Sequence, residues 1–302
     1  MNGRAISRVG VAILHGTGAY ATMLQRVMID HIAVWRSGLA EFISRSPIVT
    51  QKSLMNIDAQ SLPTIGLIVP PAEGKVPDDG PLLYPDRVRF IARGLALGQI
   101  SPAGYEAVID SVADRARSLA DDGAQAISLM GTSLSFYRGA AFNRQLVAAI
   151  HEATGLPATT MSHAVVRALK ATGVRRVALA TAYIDDVNAR LAAFLQEEGF
   201  EVTAVKGLAM TDVLGVRTVP PETLIDLAQN VFAQDTSAQG VLISCGGLKT
   251  LGIIETLESR LGVPVVSSSP AGFWDAVQLM GVSPVTHGFG RLFEQGAEPT
   301  AG

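Results

Sequence analysis

Short apolar runs alternate with helical patterns from Pro63 onward, and this alternation limits the fold more than any other feature of the chain. The runs predicted as strands are 64–69, 126–130, 177–181, 202–205, 240–244 and 263–267. The patterns predicted as helices are 102–121, 140–154, 164–172, 184–198, 221–234 and 250–261. Such alternation is typical of parallel βαβ units, and the strand runs lack polar alternation, as expected for strands covered on both faces. The sequence therefore predicts an α/β fold with mainly parallel sheets.

The same strand–turn–helix plan occurs twice. Segment 63–70 aligns with 176–183, 127–133 aligns with 241–247, and 155–162 aligns with 262–269. This repeat predicts two pseudo-symmetric, Rossmann-like α/β/α halves, the first formed by 62–172 plus 273–295 and the second by 173–272. Because ligands of such folds bind at the carboxyl ends of the strands, we expect the halves to share an active-site cleft.

Residues 1–61 are predicted to be an N-terminal extension outside this body. They carry a formal charge of +3, from six Arg/Lys against three acids, and show loose helical spacing over 20–42. Three interpretations stay open: a disordered or helical segment, a signal peptide within the uncharged stretch 9–25, and sequence upstream of a natural start at Met55.

Composition excludes several classes of protein and site. A net charge of −3 and a pI near 6.0 argue against a nucleic-acid partner, and the chain lacks an apolar run of roughly 18 residues that would cross a membrane. One cysteine excludes a disulfide framework, and the five histidines lack metal-ligand spacing. Phosphate-loop, dinucleotide and GxSxG motifs are also missing. We therefore expect a site without metal or cofactor that depends on Cys245.

Cys245 lies at a turn that the repeat aligns with an oxygen-binding turn. Gly131-Thr132-Ser133 superimposes on Cys245-Gly246-Gly247, and each triplet follows an apolar strand. Backbone N–H groups and hydroxyls at such turns bind carboxylates or phosphates. Cys245 is interpreted as catalytic, against the alternative of a buried apolar side chain. Tyr183 and the serines at 267–269 also end strands, where they either line the cleft or only pack.

At these residues the sequence resembles the arylmalonate decarboxylases of the aspartate/glutamate racemase superfamily. The resemblance covers about 62–295 and leaves 1–61 without a counterpart. Its matching segments are 63–71, 128–143, 175–188 (RRVALATAYIDDVN), 244–247 and 261–277 (LGVPVVSSSPAGFWDAV). Racemases of the superfamily carry one cysteine in each half. Here the first of those positions is Gly131, so only Cys245 can act.

The resemblance implies cofactor-free, enantioselective decarboxylation of α-aryl, α-methyl malonates to α-arylpropionates. One carboxylate would be bound, and the resulting enediolate stabilised, by Thr132, Ser133, Tyr183 and the backbone N–H groups of Cys245 and Gly246. The other carboxylate would face an apolar pocket formed by Leu97, Ile100, Tyr105, Val213 and Val216. The aryl group would pack against Gly131, Gly246, Gly247 and Pro71. Ile100 and Val216 depart in size from the family's residues, which bears on substrate range.

The resemblance also implies that Cys245 protonates one face of the planar intermediate, giving the (R) product by analogy. For this role the sulfur must rest as a thiol, unlike a nucleophilic cysteine, which works as thiolate. A cytoplasmic monomer that binds a small dicarboxylate is expected. Two alternatives remain: a racemase or cis–trans isomerase of a small dicarboxylate or amino acid, and a non-catalytic carboxylate-binding protein.

Overall fold

The structure is a computed structural model that describes residues 62–294. The expectations for residues 1–61 and for residue 295 lie outside this range. Within it, no helix is long and apolar enough to cross a bilayer.

Eight strands form two parallel four-stranded sheets with the same strand order. The first sheet has the order β2-β1-β3-β4 and contains β1 (Thr64–Val69), β2 (Arg89–Gly94), β3 (Ala126–Leu129) and β4 (Ala158–Thr160). The second has the order β6-β5-β7-β8 and contains β5 (Arg176–Thr181), β6 (Glu201–Gly207), β7 (Gly240–Ser244) and β8 (Val265–Ser267). The predicted α/β fold of two similar halves is confirmed.

Helices connect the strands as parallel pairing requires. They are α1 (Asp79–Leu83), α2 (Pro102–Val108), α3 (Val112–Asp121), α4 (Thr132–Phe136), α5 (Gly139–Thr154), α6 (Met161–Ala171), α7 (Asp185–Glu197), α8 (Pro221–Phe232), α9 (Ile254–Leu261), α10 (Ser268–Gln278) and α11 (Arg291–Glu294). Single 3₁₀ turns occur at Ile109–Ser111, Gly215–Thr218 and Leu251–Ile253.

Strand position in each sheet explains which strands the sequence revealed. The central strands β1, β3 and β7 are buried along their whole length, so their apolar runs are continuous. The prediction omitted β2, an edge strand whose exposed and half-buried arginines interrupt the apolar pattern. It also omitted β4, which has only three residues.

The helix α10 begins at the serines that follow β8, where the sequence suggested only a strand end. Ser267 precedes the helix in an extended conformation, and Pro270 falls within the first turn, where its missing N–H costs no helical hydrogen bond. All residues from Ser268 to Val277 are buried. The helix packs against α6 of the first half, and the Asp275 carboxylate there binds Arg167 and the Thr159 hydroxyl. These contacts hold the helix that follows β8 of the second sheet against α6 and β4 of the first sheet.

Candidate active site

A cavity of about 340 Å³ lies at the carboxyl ends of strands from both sheets. The segments after β1 and β3 line it from the first half, and those after β5 and β7 line it from the second. Cys245, Thr132, Ser133 and Tyr183 all contribute to its wall, so residues far apart in the sequence meet in one space.

Cys245 directly follows β7, and its side chain is buried and 7% exposed. Its φ of 150° lies in a region that side-chain-bearing residues rarely adopt, and such strain is often found at functional sites. Burial raises the pKa of the thiol to about 11, although the N–H groups of Gly247 and Leu248 and the Tyr183 hydroxyl oppose the rise. The sulfur is therefore a neutral thiol at neutral pH, which is the state expected of a proton donor.

Gly131 occupies the position in the first half that corresponds to Cys245. It follows β3 and precedes α4, and it lines the same cavity. A Cβ added at Gly131 would lie 3.2 Å from the Leu134 Cβ and 3.4 Å from the Pro70 Cγ. Within the described residues, the cavity is therefore lined by one thiol, and the equivalent turn of the first half has a glycine without a side chain.

The hydroxyl groups beside the thiol are neutral and nearly fully buried. Thr132 Oγ1 donates to the Met161 sulfur at 2.9 Å, a weak acceptor that holds the hydroxyl at the cavity wall. The Tyr183 hydroxyl lies 3.2 Å from Ser244 Oγ, and burial raises the pKa of Tyr183 well above its ordinary value. Thr132, Ser133 and Tyr183 can therefore donate hydrogen bonds to an anion without contributing charge.

The two backbone N–H groups expected to bind the same anion differ in their availability. Cys245 N–H donates to Ser268 Oγ at 3.4 Å, and Ser268 Oγ in turn lies 3.4 Å from Ser244 Oγ. Gly246 N–H makes none of the hydrogen bonds that the described residues form with one another. Gly246 is thus the better placed donor, while Ser268 and Ser244 connect the Cys245 backbone to the Tyr183 hydroxyl.

An apolar wall comes from two loops, one from each half. Leu97 and Ile100 follow β2, and Val213 and Val216 follow β6; all four are buried and line the cavity. A single antiparallel bridge pairs Gln99 with Asp212, and Ile100 N–H donates to the Thr211 carbonyl at 2.9 Å. The backbone contact fixes the two loops against each other.

Tyr105, which is expected in the apolar pocket, is fully buried and is not among the residues that line the cavity. Its ring packs 5.1 Å from the ring of Tyr137. Its hydroxyl has no hydrogen-bond partner among the described residues, and burial raises its pKa above the ordinary value.

The glycines expected to accept the aryl group lie where side chains would not fit. A Cβ on Gly247 would lie 2.5 Å from Val216 Cγ2, and a Cβ on Gly246 would lie 2.9 Å from the Met161 sulfur. Pro71 lines the cavity as well. The absence of side chains at these turns leaves flat peptide surface facing the cavity.

Sequence reasoning missed most of the polar residues that line the solvent-facing part of the cavity. Lys75, Asp78 and Asp79 follow β1, while Arg217 and Lys249 follow β6 and β7. Their position after strands was the available signal, because ligands of parallel sheets gather there. Burial raises the pKa of the Asp79 carboxyl, although Ser269 and Lys249 oppose the rise.

Comparison with known proteins gives the context of this cavity. The family model described as arylmalonate decarboxylase matches residues 65–293. An arylmalonate decarboxylase of Bordetella bronchiseptica is 60% identical over 236 residues, which cover 78% of this chain and 98% of that protein. A crystal structure of an arylmalonate decarboxylase mutant in the liganded form superimposes with a TM-score of 0.76 at 60% identity, covering 77% of this chain and 99% of that one.

More distant relatives share the fold: a structure of a Nocardia farcinica maleate cis–trans isomerase mutant superimposes with a TM-score of 0.73 at 23% identity, covering 77% of this chain and 98% of that one. A maleate isomerase of Nocardia farcinica is 26% identical over 246 residues, covering 78% of this chain and 98% of that protein. Because the arylmalonate decarboxylase model matches most of the chain, and the Bordetella relative is 60% identical over nearly its whole length, this chain belongs to the arylmalonate decarboxylase family.

Proposed function

We propose that the protein decarboxylates α-aryl malonates without a cofactor and protonates the resulting enediolate from one face through Cys245. The observation that carries this proposal is the single buried thiol, with its pKa raised to about 11, in one cavity with the neutral hydroxyls of Thr132, Ser133 and Tyr183. The 60% identity to an arylmalonate decarboxylase supports the same carboxy-lyase activity.

One carboxylate of the substrate binds the hydroxyls of Thr132, Ser133 and Tyr183 and the N–H of Gly246. Negative charge moves onto its oxygens as the enediolate forms, so these donors stabilise the transition state more than the ground state. Neutral donors suit this task, because hydrogen bonds to a developing anion strengthen inside a cavity of low dielectric.

The second carboxylate faces the apolar wall of Leu97, Ile100, Val213 and Val216. The bond between this carboxylate and the α-carbon breaks, its electron pair moves into the enediolate, and neutral CO₂ leaves. Apolar side chains solvate a carboxylate poorly and CO₂ well, so this wall favours the charge-free product.

Cys245 then donates its Sγ proton to the α-carbon, and the sulfur becomes a thiolate that water reprotonates before the next turnover. Donation by a thiol of high pKa is favourable because the enediolate carbon is the stronger base. Gly131, at the equivalent turn of the first half, has no side chain that could donate a proton. The enediolate therefore receives its proton on one face, and one enantiomer forms. General acid catalysis of this kind contributes about 10²–10⁴-fold to rates.

The test is incubation of the purified protein with α-methyl-α-phenylmalonate in D₂O, followed by CO₂ measurement and analysis of the product. We expect CO₂ release, one deuterium at the α-carbon and a single enantiomer, predicted to be (R). Failure to release CO₂ would refute the proposed activity, and a racemic product would refute protonation from one face. Cys245→Ala is the control: a non-catalytic binding protein would keep its ligand affinity and show no turnover in either form.

The remaining expectations from the sequence stay predictions. They are the monomeric state, the cytoplasmic location and the assignment of 62–172 plus 273–295 and of 173–272 to the two halves. The racemase or isomerase alternative needs a second acid or base opposite Cys245, and Gly131 does not supply one.

A further inference from the structure

The cavity combines a neutral interior with a cationic mouth. Lys75, Arg217 and Lys249 line the same cavity as Cys245, and they are its cationic lining residues within 62–294. Lys75 and Lys249 are exposed and Arg217 is half-buried, whereas Thr132, Tyr183 and Cys245 are buried. The proposed chemistry uses only neutral donors and a thiol, so it leaves these three positive charges without a role.

The three cationic side chains at the mouth form no salt bridges with other described residues. None of the salt bridges formed between residues 62 and 294 includes Lys75, Arg217 or Lys249. Asp78 and Asp79 also line the mouth, and Lys249 is close enough to Asp79 to oppose the rise that burial causes in the pKa of that carboxyl, but three cations face two carboxylates. Positive charge therefore exceeds negative charge there, and the lysines and arginine remain able to bind an anion.

Each cation lies near a residue proposed to contact the aryl group, either in space or along the chain. Arg217 approaches Gly247, since its Cγ lies 3.9 Å from the position of a Cβ on that glycine. Lys249 follows Gly247 by two residues, and Lys75 follows Pro71 in the segment after β1. An aryl ring that packs on Gly247 and Pro71 therefore shares one cavity with these three side chains.

We propose that Lys75, Arg217 and Lys249 form a subsite for an anionic group on the aryl ring, so that the substrates of this enzyme are aryl malonates with a ring carboxylate or sulfonate. This inference rests on the proposed function and adds the class of substrate to it. The guanidinium of Arg217 offers a paired hydrogen-bond donor for such oxyanions, and the two lysines add mobile point charges.

Electrostatic steering is the competing explanation, because a cationic mouth also attracts any dianion. Steering acts on the total charge of the substrate, so it also favours a ring-charged trianion over a dianion, but screening by salt removes this preference. A subsite binds the ring substituent at contact distance, where salt weakens the interaction less. The ratio between a ring-charged substrate and a neutral one of the same shape, measured again at high salt, therefore separates the two explanations.

The experiment compares 2-(4-carboxyphenyl)-2-methylmalonate with its 4-carbamoyl analogue, which has nearly the same shape and no ring charge. We expect the wild-type protein to favour the carboxylate by at least about tenfold in kcat/KM. Each of Lys75→Met, Arg217→Met and Lys249→Met should lower this ratio about threefold to fivefold, as for a partly exposed ion pair. Lys206→Met removes an exposed lysine that does not line the cavity and should leave the ratio unchanged.

A ratio near one in the wild-type protein, or a ratio that all three substitutions leave unchanged, would overturn the subsite. A wild-type ratio that falls to near one at high salt would assign the cations to steering and would also overturn the subsite. Lack of turnover with both compounds would refute the proposed function. In that case the affinities of the same two compounds are measured by calorimetry in the wild type and the variants. The ratio of the two affinities then tests the subsite in the same way.

Discussion

The protonation state of Cys245 at rest predicts a specific dependence of folding stability on pH. In the unfolded chain the thiol has an ordinary pKa of 9.0, and in the folded protein burial raises its pKa to about 11. Well below pH 9 the thiol is protonated in both states, so its ionisation does not change the free energy of unfolding. Between pH 9 and 11 the unfolded state loses the proton first, so the unfolded state gains stability and the folded protein is destabilised.

The size of this effect follows from the two pKa values. Linkage gives a loss of roughly 1 kcal/mol of unfolding free energy at pH 10 and roughly 2 kcal/mol at pH 10.5, relative to pH 8. The chain also has five lysines and five tyrosines, which as residue types ionise at high pH, so the thiol must be isolated by comparison with Cys245→Ala. That variant keeps all other titrating groups and should lack only the contribution of the thiol.

The assay is urea unfolding of both proteins, followed by circular dichroism at several pH values between 7 and 10.5. The difference in unfolding free energy between wild type and Cys245→Ala should be constant up to about pH 8.5 and should then shift against the wild type by the stated amounts. A difference that stays constant to pH 10.5 would show that the thiol has an ordinary pKa in the folded protein. A change between pH 5 and 8 would mean that the resting sulfur is a thiolate, and the proposed role as proton donor would be wrong.

Three further predictions concern the site and its support. Tyr183→Phe removes one donor to the developing enediolate and should lower kcat about 10²–10³-fold, with an unchanged far-ultraviolet spectrum as the control for folding. Gly247→Ala places a Cβ 2.5 Å from Val216 Cγ2 and should raise KM for aryl malonates at least about tenfold, and the added Val216→Ala should recover most of that loss. Asp275→Ala leaves a buried ion pair without its anion and should cost about 3–5 kcal/mol, or about 10 °C in Tm, whereas Glu201→Ala breaks an exposed pair and should cost less than about 1 kcal/mol.

The repeat made the fold predictable, because three segments of the first half aligned in order with three segments of the second. It also paired Gly131 with Cys245, since both follow central strands whose apolar pattern is strong. The edge strand β2 escaped prediction because exposed residues such as Arg89 break its apolar pattern. The helix α10 was not predicted because serines usually indicate a turn. Here packing against α6 stabilises the serines in a helix.

The site was less predictable than the fold, because most of its wall comes from loops whose positions depend on tertiary contacts. The bridge between Gln99 and Asp212 brings Ile100 and Val216 into one wall, although they belong to different halves. Nothing in the local sequence of either loop encodes that contact. The cationic residues at the mouth were missed for the same reason.

The distribution of charge in the cavity fits the difficulty of the proposed reaction. Two carboxylates on one carbon must be treated differently, since one has to accumulate charge and the other has to lose it. A cation beside the apolar wall of Ile100 and Val216 would stabilise the leaving carboxylate before the bond breaks and would raise the barrier to CO₂ loss. The cavity instead has apolar side chains there, neutral hydroxyls around Tyr183, and its positive charge at the mouth. An enzyme built in this way can attract a highly anionic substrate with charge at the entrance and still release CO₂ against apolar side chains.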